Sequence, residues 1–345
     1  MITIAKCGVV RRIFMKTLIT GGNGFVGSAL AAKLVEQGEE VRVTVRRGSN
    51  TRNLDGLPVE KVFADVRDER AVREALKGCR RLYHTAGLYK VWLRDESELR
   101  EVNVSGTRVV MREALRQGVE KAVLTSSVAA LGVREDGRPA DESVRFNLWT
   151  TRLPYEVSKY ESEEAAWELL PEGLPLVVVR PSLVLGERDV YPTPSGKLVL
   201  DVLHGRYLFY LEGGINLVDI NDAAAGHLLA MEKGRIGESY NLGNNANNIS
   251  LKDLFSLIGE IAGVAAPRFK IPYAAAMAYA NLSLVLANYV TRKPPLLPPG
   301  ALQVLHLFKK MDSTKAIKEL GLPQTPLRET IGRTVAWYRE NGYWD

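Results

Sequence analysis

Apolar and polar positions along the first half of this chain follow a repeating rhythm. Short β-branched runs alternate with stretches of helical period about ten to fifteen residues long. Leu18 and Ile19 end the first run, and from Phe25 the segment VGSALAAKLVEQG carries helical period as far as Gly38. VRVTV at 41–45 reads as a second strand and VEKVFA at 59–64 as a third, followed by a helix over 68–77. Arg81 to His84 opens a fourth strand, a polar helix covers 95–117 and stops at Gly118, and AVLTSS at 122–127 is a fifth strand. Tyr155 to Leu170 is a helix, and LVVVR at 176–180 is an apolar sixth strand stopped by Pro181. Strands alternating with helices require right-handed crossovers and a parallel sheet covered on both faces. The predicted class is α/β, a doubly wound parallel sheet of Rossmann type.

Beyond Pro181 the rhythm breaks. YPTPSG at 191–196 reads as a Pro/Gly loop, and INLVDI (215–220) and ESYNLG (238–243) as short strands around a helix over 222–233. Ser250 with Asp253 forms a capping box that opens another helix. KPPLLPPG (293–300) is a rigid linker, and helices are predicted over 313–320 and 326–341. The expected organisation is an N-terminal extension at 1–14, a dinucleotide-binding domain at 15–181 to which 215–243 returns, and a smaller interleaved substrate lobe at 182–214 and 244–345. The extension lacks the order of a signal peptide, because Arg11 and Arg12 follow its apolar part.

Charge changes this picture at one place. The formal net charge is +6, with Lys and Arg scattered rather than blocked, which gives nucleic-acid binding little support. A basic bias suits an anionic cofactor or an anionic membrane surface. From Ile271 to Thr291 there is no Asp, Glu, Lys or Arg, and Lys270, Arg292 and Lys293 flank the run. Its length matches a membrane span, yet Pro272, Asn281, Ser283 and Asn288 interrupt it. A buried or lid helix pair and a peripheral membrane contact through 271–291 are the two readings. Cys7 and Cys79 lie far apart, without metal-ligand or CxxC spacing. They fit a reducing cytoplasm, and no metal site is expected. Cytoplasmic localisation is expected, with a peripheral position at the inner membrane left open.

The candidate chemistry lies at the ends of the strands. In TGGNGFVG, Gly21 permits a sharp turn, Gly24 lets a backbone approach a pyrophosphate, and Gly27 lets the helix pack close to the strand. The helix N-terminus then offers N–H groups and a positive dipole end to phosphates. Tyr155 and Lys159 are four apart on a helix and share a face, so Lys159 is expected beside the Tyr155 hydroxyl, lowering its pKa. Ser127 ends the fifth strand, where it is placed to hydrogen-bond a carbonyl oxygen that Tyr155 protonates.

TGGNGFVG, Asp65-Val66, HTAG, Asn103 in NVSGT, TSSVAALG, YEVSK and RPSLVLG occur in the order found in extended short-chain dehydrogenases/reductases, and the likeness runs from Met15 over nearly the whole chain. PTPSGKLVLDVLHG and NLVDINDAAAGHLLAMEKGRIGESYNLG are similar to the hopanoid-associated sugar epimerase family, a relative of dihydroflavonol reductases. The resemblance implies Ser127, Tyr155 and Lys159 as the catalytic set. It also implies cofactor contacts from Gly21, Gly24, Phe25, Val26 and Gly27 at the pyrophosphate and from Asp65 and Val66 at the adenine. Ala86, Tyr155, Lys159, Pro181 and Ser182 complete those contacts, and many such proteins dimerise through the helices at 95–117 and 155–170. Two departures stand out. Nucleotide-sugar epimerases usually carry an Asn where this chain has Leu183, and an Arg where it has Ile215. A diphosphate needs charge-assisted donors, so these positions weigh against a nucleotide sugar.

Cofactor choice rests on the end of the second strand, where an acidic residue suits NAD and an Arg suits NADP. Arg46 and Arg47 stand there, with no carboxylate until Asp55. NADP(H) is therefore favoured and NAD(H) stays possible. His84 reads as core or cofactor wall, and Asn103 either as a proton relay or as helix packing. Tyr89, Trp92 and Tyr191 are candidates for an apolar pocket. The favoured reading is an NADP(H)-dependent reductase acting on a small, moderately apolar carbonyl or carbinol. An NAD(P)-dependent sugar epimerase is the second reading, and a non-catalytic NADP(H) redox sensor the third.

Overall fold

A computed structural model describes residues 16–90, 92–295 and 297–345. The N-terminal extension expected at 1–14 lies outside the described residues, as does Cys7. Seven strands form the main sheet: β1 (Lys16–Thr20), β2 (Glu40–Val45), β3 (Glu60–Phe63), β4 (Cys79–His84), β5 (Lys121–Thr125), β6 (Leu176–Pro181) and β10 (Ser239–Leu242). Their order is β10-β6-β5-β4-β1-β2-β3, and every neighbouring pair is parallel. The order reverses between β1 and β4, which opens a crevice at the C-terminal ends of those strands.

Alternate residues of each strand feed opposite faces of the sheet, as the pleat requires. Leu18, Leu82, Leu124 and Val178 join the layer made by α2 (Glu69–Leu76), α4 (Gly106–Arg116) and α5 (Pro154–Trp167). Ile19, Tyr83, Val123, Val177 and Val179 pack toward α1 (Phe25–Glu36) and α7 (Ile220–Lys233). The helix predicted over 95–117 is one continuous rod in three parts. A short α3 (Ser97–Arg100) runs through a widened turn at Glu101–Ser105 into α4.

The second lobe is threaded through the first. The short strand β7 (Leu183–Leu185) pairs parallel to β9 (Gly214–Asp219), and β9 pairs antiparallel to β11 (Asn248–Ser250). Thus β9 lies in this three-stranded sheet, whereas β10 closes the edge of the main one. Helices α6 (Pro194–Leu203), α8 (Leu251–Ala262) and α11 (Leu327–Glu340) bury their apolar faces around that small sheet. Two further short strands, β8 (Phe209–Leu211) and β12 (Phe269–Ile271), pair in parallel and lead through Pro272 into α9 (Tyr273–Leu286). The helix α9 continues as a widened turn over Ala287–Thr291, and α10 (Pro299–His306) packs beside it.

Three local expectations are corrected. The strand read at 122–127 ends at Thr125, and Ser127 instead caps a short turn at Val128–Ala130. The segment 191–196 is not all loop, because α6 begins at Pro194 and Gly196 N donates to Thr193 Oγ1 at 3.3 Å. The helix pair read at 271–291 is instead the single helix α9 with its widened last turn, and no helix among the described residues is long and apolar enough to cross a membrane. The capping box is present: Asp253 N donates to Ser250 Oγ at 3.1 Å.

Candidate active site

The glycine turn between β1 and α1 stands at the crevice. Gly21 has φ +68°, a region that disfavours side chains, and an added Cβ would lie 2.7 Å from Ala86 Cα. Ala86 therefore sits directly across the turn from Gly21. At Gly27 an added Cβ would come 2.5 Å from Gly21 O and 2.8 Å from Thr85 Oγ1, so the helix is pressed against the turn. Gly24 differs, because only Gly21 O lies near its added Cβ, and its other side is open. It is also the cap of α1 and offers no side-chain acceptor, which leaves the N–H groups around Phe25, Val26 and Gly27 available.

Across the crevice, α5 begins with Pro154 at its first turn and brings up Tyr155 and Lys159. Tyr155 is half-buried, its ring edge-on to Tyr89 at 4.5 Å between centroids. Its phenol is pushed up to about 12, chiefly by burial. A hydrogen bond with Ser127 acts in the opposite direction, and the Glu156 charge adds to the rise. The expectation that Lys159 lowers the Tyr155 pKa is thus corrected. Lys159 is buried and its Nζ donates to the backbone O of Thr125 at 2.9 Å, and burial pulls its own pKa down to about 8. Spacing put the two residues on one face of the helix, but a carbonyl 34 residues away holds the ammonium.

Buried polar groups hold this arrangement from behind. Asn103, in the widened turn, donates from Nδ2 to Leu88 O at 3.0 Å and to Ser158 Oγ at 3.0 Å. Its Oδ1 accepts from Leu88 N at 2.7 Å, which ties the loop after β4 to α5. His84 is fully buried between Thr20 Oγ1 at 2.6 Å and Thr107 Oγ1 at 3.0 Å. Burial first, and the Lys159 charge second, lower it to about 3, so it is a neutral wall. Lys309 donates from Nζ to Ala129 O at 3.3 Å and to Glu156 Oε1 at 3.4 Å, joining the turn behind Ser127 to the start of α5.

Glu163 makes the densest contact. It accepts from Ser126 Oγ at 2.7 Å, from Arg180 Nε at 3.0 Å and from Trp167 Nε1 at 3.3 Å, and so joins α5 to the ends of β5 and β6. Glu163→Gln is expected to destabilise the fold by about 1.5–3 kcal/mol, since it leaves the buried Arg180 charge with neutral partners. Denaturant unfolding measures this, and adding Arg180→Met should recover part of the loss. Neither Glu163 nor Lys309 carries a sequence signal. Each sits in an ordinary helical or charged run, and only the fold brings its partner to it.

The residues fit a dinucleotide. A cleft of about 710 Å³ runs past the ends of β2 and β3, lined by Arg46, Arg47, Gly48, Ser49, Asp65 and Asp68 among others. Arg46 is exposed there, while Arg47 lies over the Phe63 ring at 5.5 Å. The two carboxylates are engaged: Asp65 is held by Arg67 at 2.8 Å, and Asp68 Oδ1 accepts from Ala71 N at 3.0 Å as the cap of α2. Val66 is buried against Gly106. Ser182, next to Pro181 at the end of β6, is buried with no partner for its hydroxyl. A buried hydroxyl without a partner is costly unless a ligand or water meets it. Leu183 and Ile215, at the two positions where the sequence departs from the epimerase pattern, are apolar strand residues packed on the second lobe's core. Among the pocket candidates, Tyr89 touches Tyr155, Trp92 donates to Asn288 Oδ1 at 3.2 Å, and Tyr191 is half exposed. Among the described residues no group of His, Cys, Asp and Glu could hold a metal ion.

Residues 17–243 match the NAD dependent epimerase/dehydratase family. A Synechocystis protein provisionally named dihydroflavonol 4-reductase is 36% identical over 94% of this chain and 95% of its own length. Sterol demethylase protein B of Methylococcus capsulatus is 36% identical over 95% of this chain and 99% of its own. The crystal structure of a nucleoside-diphosphate-sugar epimerase from Pseudomonas aeruginosa superposes with a TM-score of 0.80 at 28% identity, covering 96% of this chain and 99% of that one. With its doubly wound sheet and glycine-turn crevice, this chain belongs to the NAD dependent epimerase/dehydratase family of extended short-chain dehydrogenases/reductases.

Proposed function

We propose that this protein is an NADP(H)-dependent reductase that acts on a ketone, or in reverse a secondary alcohol, of a moderately apolar small molecule. The observation that carries the reading is that Ser127, at the turn after β5, and Tyr155, in the first turn of α5, stand close enough for the Ser127 hydroxyl to act on the phenol, with Lys159 one helical turn on. Ser127 Oγ would hydrogen-bond the substrate oxygen, and Tyr155 Oη would donate its proton to that oxygen as negative charge develops there. A phenol pushed up to about 12 holds its proton at neutral pH, which suits a proton donor. Lys159, one helical turn on, places a cationic group between Thr125 O and the crevice. Gly21, Gly24, Phe25, Val26 and Gly27 would hold the pyrophosphate, Asp65 and Val66 the adenine, and Arg46 a 2′-phosphate. Ala86, Pro181 and Ser182 would wall the nicotinamide end together with Tyr155 and Lys159. When bound, the nicotinamide cofactor supplies or accepts the hydride.

The provisional name of the Synechocystis relative supports reduction. The likeness to a nucleoside-diphosphate-sugar epimerase supports the second reading, in which tightly held NAD(P) serves a transient oxidation. Apolar side chains at Leu183 and Ile215 weigh against it, since neither can meet a diphosphate. Identifying the nucleotide that copurifies with the protein separates the two. An exchangeable NADP(H) is the expected result, and stoichiometric, non-exchanging NAD would overturn it.

A further inference from the structure

The helix α9 and its widened last turn are built inside out for a water-facing helix. Ala276, Ala280 and Ala287 are the buried positions, and the first two pack with Leu302. Tyr273 and Met277 pack inward with them, but six large apolar residues are exposed instead: Tyr279, Leu282, Val285, Leu286, Tyr289 (82% exposed) and Val290 (68% exposed). A helix at a protein–water boundary normally buries its large apolar face and shows polar groups. On the paired strands β8 and β12 that lead into α9, Phe209 and Phe269 are exposed as well, with ring centroids 6.1 Å apart. A helix face with this many large apolar residues exposed marks an interaction site.

The charge around the face is mostly of one sign, with Glu212 beside β8 the acid that meets it. No Asp or Glu occurs from Ile261 to Met311, while Arg268, Lys270, Arg292 and Lys293 stand at the two ends of the apolar run. Lys270 pairs with Glu212 at 2.8 Å, and Arg268, Arg292 and Lys293 show no acidic partner among the described residues. We infer that this face lies on an anionic lipid bilayer, with α9 parallel to the surface, its tyrosines, leucines and valines in the acyl boundary and its basic ends at the headgroups. A second copy of the chain fits less well, because a two-fold contact through this face would bring like basic rims together, and Glu212 is already engaged by Lys270. Asn288 accepts from Trp92 Nε1 at 3.2 Å, and the Trp92 loop also carries Tyr89 onto Tyr155, so the docked face adjoins the crevice.

Flotation of the whole protein with vesicles tests this without any turnover, and therefore independently of the reduction proposed above. Vesicles of phosphatidylcholine with about one third phosphatidylglycerol should carry the wild type upward at least about tenfold more than pure phosphatidylcholine. Leu282→Ser with Tyr289→Ser and Val290→Ser should abolish flotation on both, and Arg292→Glu with Lys293→Glu should remove only the anionic preference. Far-ultraviolet circular dichroism and the thermal unfolding midpoint check that the variants are folded. Should the serine variant fail to fold, hydrogen exchange on the wild type decides, with added protection from the anionic vesicles expected over 279–290. Wild type that stays with the unbound fraction overturns the inference. So does protection confined to 1–15, or a lipid-free dimer that the serine variant converts to monomer.

Discussion

Tyr155→Phe is expected to lower kcat by about a hundredfold or more while NADPH affinity stays near wild type. The ring that packs edge-on against Tyr89 at 4.5 Å is kept, so the crevice retains its shape. Only the hydroxyl is lost, and a positioned proton donor contributes about 10²–10⁴ in rate. Ser127 still accepts from Ala129 N at 3.1 Å, which holds its rotamer in the variant. Lys159→Ala should reduce both turnover and cofactor affinity, because it also leaves the half-buried Thr125 carbonyl without the Lys159 donor. The pH profile carries a sign of its own. Lys159 is held down to about 8, so the wild-type kcat/KM should fall as pH rises through that value and the charge is lost. Tyr155, held up to about 12, keeps its proton across the same window. Steady-state rates measured with NADPH and one carbonyl substrate decide the matter. A phenylalanine variant that retains a tenth of wild-type kcat would refute the acid–base assignment.

How much of this was legible in the chain depends on the length scale of the cause. The seven-stranded sheet follows from local pattern: β6 is an unbroken apolar run because both of its faces are covered, with Leu176 to Val179 fully buried. The glycine turn is likewise local, since Gly21 needs its positive φ and Gly27 meets a carbonyl six residues before it. The start of α6 was also readable. Thr193 followed by Pro194 is a cap with proline in the first turn, a signal masked by the Pro/Gly content of 191–196. Sheet membership was not local. INLVDI reads as a strand wherever it pairs, and its pairing with β7 and β11 is fixed by contacts with segments some thirty residues away on either side.

The site divides in the same way. A four-residue spacing places Tyr155 and Lys159 on one face, but which atom receives the ammonium depends on Thr125, across the layer. Lys309 meets Glu156 and Ala129 only because the second lobe folds back over α5. For α9, composition discloses a run without charge. The inversion that buries Ala276, Ala280 and Ala287 and exposes Tyr289 and Val290 emerges only once the helix is packed.

NADPH is expected to bind at least about tenfold tighter than NADH, and Arg46→Asp to reverse that order. Arg46 lines the cleft at the end of β2, exposed, and its charge is felt at Asp65 across the opening. That carboxylate does not cancel it, because Arg67 binds Asp65 through two nitrogens at 2.9 and 2.8 Å. Asp68 is likewise occupied in capping α2. Arg47 is the weaker candidate, since its guanidinium lies over Phe63. A charge-assisted contact with a 2′-phosphate contributes about 1.5–3 kcal/mol, which is roughly ten- to a hundredfold in affinity. The aspartate removes that contact, repels the phosphate and offers an acceptor to the free ribose hydroxyl of NADH, so attraction and repulsion change together. Fluorescence titration of both reduced cofactors against wild type and variant reads the ratio directly. Equal affinities in the wild type would mean that Arg46 points away from the phosphate, and the NADP-linked reading would fall with it.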